Sequence, residues 1–106
     1  MLGKFGNVME IIQKVQQNAD SLQEGLRSEE LESSSGDVVR VVMNGVQEII
    51  AIELNPSYLS PDNKAMLEDL LTVCLNDVCA RSRARGQSAM SQLASEFNLP
   101  PIPGLF

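Results

Sequence analysis

Three arginines within five residues form the densest group of chemically capable side chains in this sequence, and they are Arg81, Arg83 and Arg85. A guanidinium group binds carboxylates and phosphates through paired hydrogen bonds, so the group favours an anionic partner. Arg81 and Arg85 are one helical turn apart and share a face of the predicted helix. The pattern is equally typical of a helix end, where cations stabilise the negative end of the dipole. The residues alone leave both interpretations open.

The sequence lacks the residues that most catalytic and metal sites require. It contains no histidine, which is the usual proton shuttle at neutral pH and the commonest metal ligand. The carboxylate pairs Glu29-Glu30 and Glu68-Asp69 lie in stretches typical of solvated surface, so neither resembles a buried catalytic acid. Cys74 and Cys79 face different ways on one predicted helix, so we expect two reduced thiols. We therefore predict no enzyme activity, metal site, small-molecule substrate or cofactor.

Length and charge bound the remaining possibilities. The 106 residues predict one domain over residues 1–97, followed by a Pro/Gly-rich C-terminal tail, residues 98–106, which either frays or docks into a groove. The formal net charge of −6 opposes generic affinity for nucleic acid, although a local basic patch can still act. The sequence has no signal peptide and no apolar run of about 18 residues, so we expect a soluble, cytoplasmic chain.

Two runs of β-branched residues around Asn44-Gly45 predict a β-hairpin over residues 37–54. Asn and Gly tolerate the positive φ of a tight turn, so the predicted loop is either Asn44-Gly45 or four residues ending at Gln47. Both loops place the same residues on one face, because side chains alternate along a strand. The buried face is expected to carry Val39, Val41, Met43, Ile50, Ile52 and Leu54, and the half-exposed face Val38, Arg40, Val42, Ile49, Ala51 and Glu53. A hairpin alone is marginal, so helices must cover it, and the polar residues 28–36 are either a loop or a third, edge strand.

Apolar residues at helical spacing predict a long helix on each side of the hairpin. The first helix, residues 5–27, carries an apolar stripe from Phe5 to Leu26 and is about 35 Å long. A compact chain of this size has a radius of gyration of about 13 Å, so part of the stripe needs a second subunit, and we predict a homodimer. The second helix begins at Ser60-Pro61, and Gly86 is expected to end or kink it before a short final helical segment, residues 87–97.

Several stretches together resemble the YbaB/EbfC family of bacterial nucleoid-associated proteins. They are the opening MxGKxGN, the Gln-rich helix, the VxVxxNG hairpin, IELNPSYL, the MLEDLL helix with its later Asn-Asp, and the proline-glycine tail. The match covers nearly the whole chain in order. It implies an α+β fold in the order α-β-β-β-α-α, with a three-stranded antiparallel sheet and a short final helical segment. It also implies a tweezer-like homodimer, whose sheets join at the centre and whose helices project as arms.

The resemblance implies duplex DNA as a partner, bound with little sequence preference, and a place in the cytoplasm at the nucleoid. Phosphate contacts need cations, and no side chain is needed for base readout. The candidate DNA-binding residues are Lys4, Lys14, Arg81, Arg83 and Arg85. The candidate dimer interface consists of Val38, Val42, Ile49 and Ala51 on the second sheet face, with Ile12 and Val15 on the first helix.

Two functions therefore compete. The first is a nucleoid-associated protein that binds duplex DNA weakly and affects nucleoid organisation and gene expression. The second is a protein-interaction adaptor in protein biogenesis or regulation, which uses the helical arms or the tail and in which DNA binding is weak or lost. The gathering of the basic residues on one surface would favour the first, and acidic residues sharing that surface would favour the second.

Overall fold

The computed structural model describes residues 2–96, with side chains from residue 8 onward, so the predicted tail lies outside the described residues. The order of elements confirms the predicted α-β-β-β-α arrangement, and residues 28–36 supply the third strand. Two single turns of 3-10 helix, Pro56–Tyr58 and Pro61–Asn63, precede the last helix. The elements are α1 (Leu2–Ser28), β1 (Glu30–Ser35), β2 (Val39–Asn44), β3 (Ile49–Leu54) and α2 (Lys64–Glu96).

The core lies between the sheet and the first half of α2. The antiparallel sheet has the order β1-β2-β3, so β2 is central. Its β-branched and apolar side chains alternate toward α2, where Cys74 and Val78 meet Val39, Val41 and Met43. All five side chains are buried. Each large apolar side chain contributes about 1.5–3 kcal/mol when it is fully removed from water.

The loop of the β2–β3 hairpin has three residues, and both predicted lengths are wrong. The Asn44 amide donates to the Glu48 carbonyl at 2.9 Å, which leaves residues 45–47 as the loop. The positive φ falls on Gln47, at 63°, and not on Gly45. The Asn44 side chain holds the loop, because its Oδ1 accepts from the Val46 amide at 3.1 Å and the Glu48 amide at 2.9 Å.

A β-bulge restores the register that the odd loop would have shifted. Val42 pairs with Ala51 but Met43 pairs with Ile49, so β3 holds one residue more than β2 over this stretch. Side chains alternate between the two faces of the sheet, so a loop of odd length would move the residues of β3 to the opposite face. The one extra residue of the bulge moves them back. Val41 pairs with Ile52, so the two lie on the same face of the sheet, as predicted.

The open side of β3 departs from prediction. Ile50 and Ile52 were expected in the core, but they are 52% and 47% exposed in the single chain. The reason is that α2 packs mainly over β1 and β2 and leaves the β3 edge of the same face uncovered. The sheet therefore ends in an edge strand with exposed isoleucines.

Helix α2 is continuous, and the predicted break at Gly86 with a separate final helix is wrong. Ser60 caps the preceding 3-10 turn as predicted, since its Oγ accepts from the Asp62 amide at 3.3 Å. From Lys64 the helix runs 33 residues through Gly86. One glycine within a helix costs only about 1 kcal/mol, and packing of the later turns against α1 offsets it. Ala89 and Leu93 are buried there.

Helix α1 is fixed to the hairpin by a close backbone contact. The Gly45 amide donates to the Leu26 carbonyl at 2.8 Å. A Cβ at Gly45 would lie 2.7 Å from the same oxygen, and this separation is too short for a Cβ unless the neighbouring backbone moves. Ser82 of α2 completes the junction, because its buried hydroxyl donates to the Asn44 carbonyl at 2.8 Å and accepts from the Gln47 amide at 3.1 Å. We call this meeting of α1, the hairpin loop and α2 the arm junction.

We predict that Gly45→Ala lowers the free energy of unfolding by about 1–3 kcal/mol, because overpacking must push α1 away from the loop. Gly86→Ala is the matched control, since a Cβ there would meet only the Gly45 carbonyl at 3.8 Å. The control is expected to be neutral or to gain up to about 1 kcal/mol from helix propensity. Urea unfolding followed by circular dichroism measures both. Equal stability of the two variants would contradict the close contact.

Candidate nucleic-acid interface

Two of the three clustered arginines bind groups of their own chain. The Arg85 guanidinium donates to both carboxylate oxygens of Glu29, with distances of 2.9 and 2.8 Å. These hydrogen bonds, with the charge of Glu29, raise the pKa of Arg85 above its usual value. Arg81 donates to the Glu32 carbonyl oxygen at 2.7 Å and lies 3.5 Å from an Asp77 carboxylate oxygen. Both arginines therefore tie α2 to β1 or to the turn before it.

Three further basic residues also have carboxylate partners. Arg40 on β2 lies between carboxylates of the two neighbouring strands. Its Nε is 2.8 Å from Glu32 Oε1, and its Nη1 is 2.9 Å from Glu53 Oε1. Arg27 pairs with Glu24 at 3.1 Å, and Lys64 pairs with Glu68 at 3.6 Å. With Arg81 and Arg85, five of the eight basic residues are in ion pairs. Most of the positive charge is thus already neutralised within the chain.

Lys14 and Arg83 are the basic side chains without an ion pair in the part of the chain whose side chains are described. Both are exposed. Arg83 lines a cleft of about 520 Å³ at the arm junction. Lys14 lies on α1 about 18 Å along the helix axis from Leu26. Lys4 is in α1, but its side chain lies outside the described residues.

The five candidate DNA-binding residues therefore fall into different environments. The structure leaves Lys14 and Arg83 available to an anion, and it holds Arg81 and Arg85 in internal contacts. Sequence reasoning missed the partners Glu29 and Glu32, which are 56 and 49 residues away from the arginines that they bind. No local pattern signals such pairs, because they depend on how α2 lies across β1.

The candidate dimer residues are also unequal in the single chain. Val42 is only 4% exposed, and Val38 packs against the core. Ala51 and Val15 are half-buried, whereas Ile49 and Ile12 are 50% and 45% exposed. Their assignment to an interface stays a prediction, and the exposed members are the ones that a partner would cover.

Comparison with known proteins decides the family. The profile of the YbaB/EbfC DNA-binding family matches residues 2–97. The chain belongs to the YbaB/EbfC DNA-binding family. This is a family of DNA-binding proteins and not of enzymes, and the match covers both helices and the whole sheet of this YbaB/EbfC chain.

Relatives match over nearly their full length. A nucleoid-associated protein of Desulforamulus reducens is 38% identical, and one of Pelotomaculum thermopropionicum is 35% identical; each match covers 100% of this chain and 99% of the relative. A third, from Thermodesulfovibrio yellowstonii, is 35% identical over 95% of this chain and 90% of its own.

A solved structure shares the fold. The crystal structure of an uncharacterized protein from Helicobacter pylori has a TM-score of 0.73 and is 23% identical, covering 84% of this chain and 96% of that chain. Within residues 2–96, no helix is long and apolar enough to cross a membrane. The described side chains also include no cluster of three or more His, Cys, Asp or Glu residues that would hold a metal ion.

The Glu32 carboxylate predicts how stability depends on pH. The hydrogen bond from Arg40 is the largest effect and lowers the pKa of Glu32; burial opposes it by less, and the charge of Arg40 adds a smaller lowering. A carboxyl group with a lowered folded pKa stabilises the fold above its unfolded pKa, and this is lost as pH falls through the folded value. We therefore expect Glu32→Gln to lower the melting temperature at pH 7. The gap from the wild type should close below about pH 4.

Glu30→Gln is the matched control for this experiment. Glu30 lies in the same strand, is exposed, and has no ion pair in the described part of the chain. We expect its melting curve to follow the wild type across the pH range, as measured by circular dichroism. A gap between wild type and Glu32→Gln that stays constant from pH 7 to pH 3 would contradict the role of the charged pair.

Proposed function

We propose that this chain is a homodimeric nucleoid-associated protein that binds duplex DNA weakly, with little sequence preference, and so affects nucleoid organisation and gene expression. The observation that carries the proposal is the YbaB/EbfC DNA-binding family match over residues 2–97. It is supported by the elongated shape, 73 Å in its longest dimension, with Lys14 and Arg83 exposed on the helical part.

Weak binding follows from the small number of available cations. Non-specific affinity for DNA comes from phosphate neutralisation and counterion release. Lys14 and Arg83, the two cations without an ion pair among residues 8–96, would give a dimer about four phosphate contacts, and a slope of log K against log salt of about −3 to −4. The net charge of −6 per chain opposes approach to DNA at low salt. The expected complex is therefore one that forms at low salt and dissociates near physiological salt.

We predict that Arg83→Ala and Lys14→Ala each weaken DNA binding equally on unrelated sequences. Each should flatten the salt dependence by about one unit per contact removed, or about two units in a symmetric dimer. Lys64→Ala is the matched control, because it removes the same charge at the first residue of α2, far from Arg83 and Lys14. The Lys64 side chain is 81% exposed. Gel shifts at several salt concentrations on two duplexes measure this.

The outcomes separate the site from the function. If Arg83→Ala and Lys14→Ala both bind DNA with wild-type affinity, the cations that contact phosphates lie elsewhere in the chain. DNA binding itself would not be contradicted. No shift by the wild type at low salt would contradict DNA binding by this member. The adaptor function would then be favoured. It is consistent with the five of eight basic residues that are in internal ion pairs.

The two sheet edges support a dimer that joins through β3. At the β1 edge the strand is polar, and the Arg81 guanidinium occupies the Glu32 carbonyl at 2.7 Å. At the β3 edge, Ile50 and Ile52 are about half exposed, and β3 pairs with β2 alone among the described strands. Exposed apolar edge strands pair readily, whereas charged and polar edges resist pairing. The expected partner for β3 is β3 of a second copy.

We predict that Ile52→Asp converts the dimer to a monomer, because a charge would be buried at the joined edge. The side chain is 47% exposed in the single chain, so the fold should survive. Val73→Asp is the control, since Val73 is 62% exposed on α2. Light scattering at micromolar concentration measures mass, and circular dichroism measures helicity. A dimeric Ile52→Asp, or a monomeric wild type, would contradict the β3 interface.

A further inference from the structure

The outer half of α1 presents large apolar side chains to solvent. Val8, Met9, Ile11 and Ile12 are between 45% and 57% exposed. The inner half of the same helix is covered by α2, and Leu26 is only 6% exposed there. The apolar spacing thus continues along α1 after its cover has stopped. Contiguous exposed apolar residues of this kind mark a surface that is covered by something else.

The direction of α2 shows where its cover stops. Leu26 lines the cleft at the arm junction with Ser82 and Gly86. Further out, Asn18 lines a second cleft with Glu96, the last residue of α2. The helices are therefore antiparallel, and α2 ends beside Asn18. From there to Val8, α1 continues for about 15 Å without a neighbour in the described part of α2.

The residues that follow Glu96 have the length and composition to cover this surface. Residues 98–106, NLPPIPGLF, contain three prolines and no charged residue, so they favour an extended conformation and lose no charge hydration on burial. In polyproline II geometry, nine residues span about 28 Å, which exceeds the distance to be covered. Leu99, Ile102 and Leu105 are spaced by three, and this helix has three residues per turn, so they would share one face.

We propose that residues 98–106 pack in extended form along the outer half of α1 in the same chain, with Leu99, Ile102 and Leu105 against Val8 and Ile12. The segment then completes the arm that α2 begins. It also keeps the apolar face of α1 away from other molecules and stiffens the helix that carries Lys14. A second copy of the chain is the alternative cover, and the test distinguishes the two.

Hydrogen exchange measured by mass spectrometry on the full-length chain tests the proposal. The readout is the exchange rate of amides in residues 8–15, with the amides of β2 as internal reference. We expect Ile102→Asp, and deletion of residues 98–106, to make exchange at residues 8–15 at least about tenfold faster. Burial of one such side chain shifts an equilibrium by that factor or more. Exchange in β2 should be unchanged, because β2 packs against the first half of α2 and not against the outer half of α1.

Gly104→Asp is the matched control, because it adds the same charge at a position off the Leu99–Ile102–Leu105 face. It is expected to exchange like the wild type. Three results would overturn the proposal. They are unchanged exchange at residues 8–15 after deletion, an effect of Gly104→Asp equal to that of Ile102→Asp, and protection at residues 8–15 that disappears on dilution of the wild type. The last result would assign the cover to a second copy.

Discussion

The close contact between Gly45 and the Leu26 carbonyl fixes the shape of this molecule. The hydrogen bond of 2.8 Å joins the end of α1 to the hairpin loop, and only a residue without a Cβ fits there. Ser82 joins the same loop to α2 through two hydrogen bonds of its buried hydroxyl. Three elements that are distant in sequence therefore meet at one point. Beyond it α1 and α2 run together as an arm, and on the other side α2 covers the sheet.

The ion pairs around β1 have a structural role that limits the chemistry left for binding. Glu29 and Glu32 hold Arg85 and Arg40, and the Glu32 backbone holds Arg81. These side chains are partly exposed, so each pair contributes little to stability. The larger effect of the Arg81 and Arg85 contacts is on orientation, because they fix α2 over the short polar strand β1. An arginine that already holds a carboxylate offers less net positive charge and fewer donors to a phosphate.

The sequence was sufficient for features that depend on local periodicity. The alternation of Val39, Val41 and Met43 predicted the buried face of β2, and Ser60 with Pro61 predicted the start of the last helical region. Contacts between distant elements were not predictable in the same way. Gly86 has the propensity of a helix end, and only the approach of α1 to α2 at that point shows why the helix continues through it.

The candidate site was predictable in part for the same reason. A cluster of arginines is visible in the sequence, but the sequence does not show that Arg83 lies on an exposed face of α2 while Arg81 and Arg85 form ion pairs. The face shared by Val39, Val41, Ile52 and Leu54 was predicted correctly although the loop length was wrong, because the three-residue loop and the bulge compensate; beyond the bulge, Ile49 and not Ile50 pairs with Met43. A prediction of which residues share a strand face holds when two such errors cancel. A prediction of which residues form an ion pair does not, because it needs the exact position of each side chain.

The remaining question is how an acidic chain approaches DNA, and screening gives an answer. A dimer would carry twice −6, or −12, spread over the whole surface. At physiological ionic strength the Debye length is about 8 Å, so charges farther from a phosphate than this are largely screened. Lys14 and Arg83 are exposed on an elongated molecule, and the carboxylate nearest to Lys14 in sequence is Glu10, one turn before it on the same face of α1. Repulsion therefore slows the encounter at low salt, while the contact itself depends on the cations nearest the phosphates. Salt has opposite effects on these two terms, so weak affinity over a limited salt range is what we expect from this distribution of charge.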